Sequence, residues 1–410
     1  FYNCTSLTSV DLSFLDTSYV YSFSSMFYGC TNLLYANLSG WKILKYSSSS
    51  YSDLYFLGGL FNSCNKLKSL NINNWDFTGN HVSSLDNFYG YTGLGNCSSL
   101  ESINASGWAL GSSIRSADYF LAGCSMKNLD LSNWSISSSQ FQRLYDFLNR
   151  CDNLRTVNIS GWHYSDYSTF SGAKGINATY MFSACSKLNG IIGIEEFGKN
   201  IKLTETNSMF YNTAIKTIDL HNWNMAYVTQ AQAMFAYSAV EEINASGWNW
   251  NSITNLSNLG GLFASGSLEK LNINNWTMSG ISGEMTNFKS LLNSNVEYIS
   301  MDHFSAPNIT QISNLTVNVS NLKTISFRYP NLPNLRSAAK MFDACRADRI
   351  DLEGFDTSLI TDMSSMFRNC NNLKVLDISG FDTENVSIMA EMFRGCSSLT
   401  TLNTSSLQTS

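Results

Sequence analysis

Charge, histidine and long apolar runs are all scarce in this chain of 410 residues, and each shortage removes a class of function. Charged side chains make up only 14% of the residues and the formal net charge is −6. Lys and Arg are scattered, so the basic stripe that would neutralise phosphates is missing and nucleic acid is not an expected partner. There are four histidines, His81, His163, His221 and His303. They stand at offsets of +6, +1, −2 and −1 from the nearest repeat aromatic, which does not gather them for acid–base work. The Glu pairs in "EEF" and "EEIN" read as solvated edges. No apolar run approaches the ~18 residues of a membrane span. No GxGxxG, P-loop or GxSxG occurs in the context that gives it meaning. No CxxC or His-rich pair offers a zinc site. The expectation is a protein with no catalytic centre, no cofactor and no bound metal.

What the chain does have is apolar material, 44% of it, including 13% aromatic. That is far too much for disorder and enough for a large core. Its arrangement is periodic. The Cys of "MFRNC", Cys370, has an equivalent in every unit, from Cys4, Cys30 and Cys64 to Cys345 and Cys396, at a mean spacing of 28 residues. Upstream of it apolar residues fall at −7, −4 and −3, as in Met363, Met366 and Phe367, or Phe23, Met26 and Phe27. That spacing predicts a short helix. Downstream the period tightens to two, with Leu376 and Ile378 flanking Asp377 and Val157 and Ile159 flanking Asn158, which predicts a short strand with one buried face. An aromatic follows most strands, among them Trp41, Trp75, Trp108, Trp134, Trp162, Trp223, Trp248 and Trp276.

A unit of this size cannot bury a helical stripe and a strand face alone, so the units must stack and share one core. The expected fold is an α/β repeat: a leucine-rich-repeat-like curved solenoid of about 15 rungs, each a short parallel strand plus a short helix. It is expected to run through 1–410 as a single continuous solenoid. The longer intervals contain stretches such as "KILKYSSSSYSDLYF" (42–56) and "HYSDYSTFSGAKG" (163–175), which read as surface insertions. Because the sequence starts and stops inside repeats, it is expected to be an excerpt of a longer chain, with any membrane anchor outside this segment.

The phrases "MFRNCNNLKVLDISGFDT" and "MFRGCSSLTTLN" resemble the repeat of the BspA-type leucine-rich-repeat surface proteins, most strongly over 341–403 and 1–40. The resemblance implies an extracellular or cell-surface role connected with adhesion. It names no ligand and implies no catalysis.

Two columns of side chains carry the remaining information. In five successive units the cysteine is replaced by Thr213, Ser238, Gly266, Asn295 and Val319. Mostly small replacements favour buried free thiols over disulfides between rungs. The second column is the outward-facing residue of each strand: Asp11, Asn37, Asn71, Asn104, Asp130, Asn158, Gly193, Asp219, Asn244, Asn272, Ser300, Ser326, Asp351, Asp377 and Asn403. Stacked Asn amides donate and accept along the stack where stacked carboxylates would repel, so this polar ladder is expected to be hydrogen-bonded structure. A cation or a sugar bound on that face is the functional alternative.

Asn37, Asn104, Asn158, Asn244 and Asn403 also begin N-x-S sequons, and no two occupy adjacent rungs. In a eukaryotic secretory route they are glycosylation candidates, with Asn177, Asn255, Asn308 and Asn314, read as loop sites, the better acceptors. The function these features favour is an extracellular or surface-displayed structural or adhesive protein, glycosylated and part of a fibre or surface layer. Its partners would be other copies of itself or surface proteins and glycans. The alternative is a receptor-like binding module that recognises a protein or glycan through its strand face.

Overall fold

A computed structural model describes residues 1–43, 55–79, 82–137, 140–164, 174–286, 288–292, 295–316 and 319–405. Parts of both predicted insertions, and His81, lie outside the described residues. The chain divides into two compact units, Phe1–Ile215 and Lys216–Ser410. Each is a parallel β-solenoid of the leucine-rich-repeat kind. The first carries a seven-stranded parallel sheet running from Ser9–Asp11 to Gly190–Ile192. The second carries an eight-stranded one, from Thr217–Asp219 through Glu242–Asn244, Lys270–Asn272, Tyr298–Ser300 and Thr324–Ser326 to Thr401–Asn403.

Period two does in the structure what it promises in the sequence. In the strand Ser69–Asn71 the middle residue, Leu70, is buried and its neighbours face outward. Strands pair in register, Asn37 opposite Asn71 and Asn71 opposite Asn104 in the first unit, Asn244 opposite Asn272 and Asn272 opposite Ser300 in the second. Coils also meet along a line just beyond the aromatic (Asp76 with Ala109, Thr277 with Ser305) and along another just before the cysteine arc (Ser116 with Arg143, Ser337 with Asp362).

The short helix of each repeat is not there. The segments ending at Cys30 and Cys370 are runs of turns, and among the described residues α-helix is confined to Phe88–Tyr91 and Ile194–Asn200. Hydrogen bonding explains the difference. In the first unit the N–H groups of Phe23, Ser25, Phe27 and Gly29 donate to the next coil, at Phe56, Gly58, Leu60 and Asn62, while those of Met26, Tyr28 and Cys30 close turns three residues back. Every fourth residue is left-handed, Ser25 and Gly29 in one coil, Ser365 and Asn369 in another, which resets the turn where a helix would continue. Apolar spacings of three and four serve both conformations. Stacked turns win because half of their donors then bind the neighbouring coil, so the arc is cross-linked as the sheet is.

The tryptophan column is the spine of the core. Trp134 has no exposed surface, stacks between Trp108 (5.2 Å, 3°) and Trp162 (4.7 Å, 5°), and meets Phe120 and Phe147 edge-on. Seven indole N–H groups of the column donate to a carbonyl of the preceding coil, among them Trp108 to Ile72 at 2.7 Å, Trp134 to Ala105 at 2.8 Å and Trp276 to Ala245 at 2.6 Å, whereas the N–H of Trp250, outside the column, has no partner among the described residues. The cysteines are free, and eight of the ten are buried. Their thiols point at carbonyls one coil back, Cys64 to Phe27 at 3.1 Å and Cys151 to Leu121 at 3.1 Å. Burial pushes the thiols of Cys64 and Cys97 up to about 12.

Candidate functional site

The ladder residues reach the outer face of the sheets, with one shift of register. Ile192, not Gly193, stands opposite Asn158. Gly193 instead adopts φ 83° and starts the helix Ile194–Asn200, whose buried Phe197 takes the place of the tryptophan against Trp162 at 5.7 Å.

Each ladder carboxylate or amide turns the chain after its strand. Asn104 Oδ1 accepts from the N–H of Ser106 at 3.0 Å and its hydroxyl at 2.7 Å, and Asn158 treats Ser160 alike at 3.1 and 2.7 Å. Asp130 accepts from Ser132 N–H, Asp351 from Glu353 N–H and Asp377 from Ser379 N–H. The Asp11 carboxyl lies below its usual range chiefly because the Ser13 hydroxyl and N–H donate to it, and Ser379 lowers Asp377 in the same way. These are side-chain turns of the kind Asn and Asp favour.

Bonding along the stack is present only in places. In the first unit Asn37 Nδ2 donates to Asp11 at 3.1 Å and Asn71 Nδ2 to Asn37 at 3.0 Å; in the second Asn403 Nδ2 donates to Asp377 at 3.2 Å. At Asn244 and Asn272 the Oδ1 atoms accept from Ser246 and Asn274, but neither Nδ2 has a partner among the described residues. Next along, the ladder residue is a serine too short to close the turn, and a residue two positions later on the preceding coil takes over. Ser300 donates to Asn274 at 2.8 Å, and Ser326 donates to Asp302 at 2.5 Å. Asp302 also holds Arg328 by two bonds, at 3.0 and 2.6 Å. Burial would raise the Asp302 carboxyl, but Arg328 and Ser326 bring it below its ordinary value.

Here the second sheet has a depression of about 580 Å³, crossed by Asn244, Lys270, Asn272, Tyr298, Ser300 and Thr324. The residue two before each ladder position shares its face, so Glu242, Lys270 and Tyr298 line it too. The ladder column alone does not reveal them, although the period-two rule does. Tyr298 is 42% exposed. The charges at the rim are paired from coil to coil: Lys216 with Glu241 at 2.5 Å, Lys270 with Glu242, and Lys323 with Glu297 at 2.6 Å. Lys323 also lies 5.7 Å from the centre of the Tyr298 ring.

The glycosylation candidates divide by what their amides do. Asn177, expected on a loop, lies in the strand Ile176–Asn177 and its Nδ2 donates to Glu205 at 2.9 Å. Asn308 is exposed in a turn but donates to Ser279 O at 2.7 Å. Asn314 is half-buried and left-handed, with its amide 3.3 Å from Ser313 Oγ. Asn255 is exposed and caps the short 3₁₀ turn Leu256–Leu259 through Oδ1. Asp219 is exposed and accepts from both the N–H and the ring of His221. His163 contacts Gly161 O and His303 stacks on Tyr329, so each of the three described histidines is engaged locally. Among the described residues no group of three or more His, Cys, Asp or Glu could hold a metal ion. No helix among them is long and apolar enough to cross a membrane.

No curated protein matches the chain. Among solved structures it is similar to an internalin of Listeria monocytogenes, at 14% identity over 97% of this chain and 87% of that one, with a TM-score of 0.24. A Leptospira interrogans LRR protein is similar at 11% identity, 94% of each chain and a TM-score of 0.25. A chain of the Drosophila Toll–Spatzle complex matches at 11% identity, 86% of this chain and 45% of that one, with a TM-score of 0.35. One protein family matches directly, over residues 1–134, 55–189, 176–301 and 336–410, and the chain therefore belongs to DUF285, described as "Mycoplasma protein of unknown function".

Proposed function

We propose that this chain is a surface-displayed adhesive repeat protein that holds its partner on the outer sheet face of Lys216–Ser410. The observation that carries the reading is the depression over Asn244, Lys270, Asn272 and Tyr298. The core is built from the strand centres, the turn arc and the tryptophans, so the outward side chains there are not needed for packing. Buried indoles leave no tryptophan platform for a ligand, and Tyr298 is the large exposed aromatic of this face. The resemblance of 366–383 and 392–403 to BspA-type repeats supports display outside the cell. Membership of a fibre or surface layer, and a role without catalysis, belong to the same proposal. So does glycosylation, for which Asn104, Asn158 and Asn255 offer amides with no hydrogen-bond acceptor of their own among the described residues.

The test is attachment. Beads carrying the 410-residue chain should adhere to cultured-cell surfaces or to a panel of extracellular-matrix proteins, and the pair Thr217→Arg, Tyr298→Ala, neither of which closes a turn, should abolish this without changing the melting temperature. Unchanged attachment by the variant would remove the face from the function.

A further inference from the structure

We propose that the depression on the second sheet binds a neutral oligosaccharide laid along the stack, perpendicular to the strands. The inference rests on the adhesive reading above and names its ligand class.

Three features of the face select that chemistry. Its lysines are already paired within the protein, Lys270 with Glu242, Lys323 with Glu297 and Lys216 with Glu241, and Asp219 at its edge accepts from the N–H and ring of His221. An ionic ligand would have to break these pairs, whereas a neutral one can lie between them. The hydrogen-bonding groups left over are uncharged. Asn244 and Asn272 use only their Oδ1 atoms, which leaves two amide nitrogens on adjacent rungs pointing at no acceptor among the described residues. Thr217, Tyr298 and Thr324 line the same depression, and their hydroxyls likewise have no hydrogen-bond partner among the described residues. Hydroxyl-rich ligands both accept from amides and donate to hydroxyls, so such a mixture suits them. The third feature is the Tyr298 ring, 42% exposed on the rung after Lys270, a surface for the apolar face of a sugar.

Geometry sets the direction. Neighbouring strands are ~4.8 Å apart, comparable to the length of one hexose unit in a linear chain, so consecutive sugars would meet consecutive rungs. In the first unit Asn37 and Asn71 give their amides to the preceding rung, and the free amides of Asn104 and Asn158 stand on either side of Asp130, so no two lie on adjacent rungs. Free amides on adjacent rungs are therefore particular to the depression. At the corresponding rungs of the second sheet the column reads Asp219, Asn244, Asn272 and Ser300; the Asp219 carboxylate accepts from His221, and Ser300 turns its hydroxyl to Asn274.

The experiment is calorimetric titration of the full chain with neutral hexasaccharides (cellohexaose, chitohexaose and mannohexaose), with heparin and polylysine as charged probes. Saturable binding of at least one neutral sugar, unchanged between about 50 and about 500 mM NaCl, is expected. The double variant Asn244→Asp, Asn272→Asp keeps both Oδ1 acceptors, and Asp stands at equivalent positions such as Asp130 and Asp351. It should fold, with a somewhat lower melting temperature because carboxylates then occupy three adjacent rungs from Asp219 onward, and the folded protein should lose roughly tenfold or more in sugar affinity. Tyr298→Ala should weaken binding as well. The same change at Asn71, whose amide is engaged, should leave affinity unaltered. No binding by any neutral sugar, a steep salt dependence, or full affinity in the double variant would overturn the proposal. If sugars fail while the face variant still abolishes attachment, only the ligand class is wrong; if the face variant leaves attachment intact, the adhesive reading itself falls.

Discussion

Trp134→Ala is the sharpest probe of how the coils are held together. The indole is fully buried, lies parallel to Trp108 and Trp162, and touches Phe120 and Phe147 edge-on. Truncating a buried tryptophan costs about 3–5 kcal/mol through lost transfer energy and the cavity left behind. The substitution also strips Ala105 O of the N–H that reaches it at 2.8 Å, and a buried carbonyl left alone adds about 1 kcal/mol or more. The expected total is about 5 kcal/mol, comparable to the whole stability of a small domain. Trp134→Phe retains an aromatic face between its neighbours and should cost about half as much. Urea melts followed by far-ultraviolet circular dichroism separate the two, because backbone signal does not depend on the removed chromophore. Repeat units can unfold in stages, so the transition that moves should be assigned by hydrogen exchange at the coils around residues 105–162. A loss below about 1 kcal/mol for the alanine variant would refute the packing argument. Equal losses for Phe and Ala would show that the N–H bond, not the stacking, carries the effect.

The carboxyl of Asp302 lies below its ordinary range, so its contribution is complete at neutral pH and disappears as pH falls below about 4. Asp302→Asn should cost about 2 kcal/mol at pH 7 and almost nothing at pH 2, which acid-dependent melts would measure. Raised thiols and burial predict that native protein at pH 8 alkylates quickly only at exposed Cys4, with half-buried Cys396 slower and the other eight reacting on denaturation. Mass spectrometry of iodoacetamide-treated peptides checks the order; rapid labelling of Cys64 or Cys97 would contradict it. At Gly193 a Cβ would lie 2.3 Å from Ser160 Cα on a backbone at φ +83°. Gly193→Ala should therefore destabilise by about 2 kcal/mol or more in a thermal or urea melt, and a neutral result would mean that Ile194–Asn200 docks differently.

By itself the sequence determined the repeat, most of the strands that carry the ladder, which aromatics turn inward and that small packed thiols suit the cysteine column, but not the strand Ile176–Asn177 or the shift at Gly193. Those features follow from local alternation and from the need of each unit to bury its apolar side on the next, and both are written in residue order. Only the tertiary structure decided the conformation of the arc before the cysteine. Phe23, Met26, Phe27 and Cys30 have the spacing of a helix, but the partners of Phe23, Ser25, Phe27 and Gly29 lie on the next coil, more than thirty residues away in sequence. The same holds for the candidate site. Asn37 and Asn272 are the same residue type at equivalent positions, yet one amide binds the coil behind it and the other faces the depression. That difference depends on which side chains stand on the adjacent rungs and how far they reach, a relation between coils that no single repeat encodes.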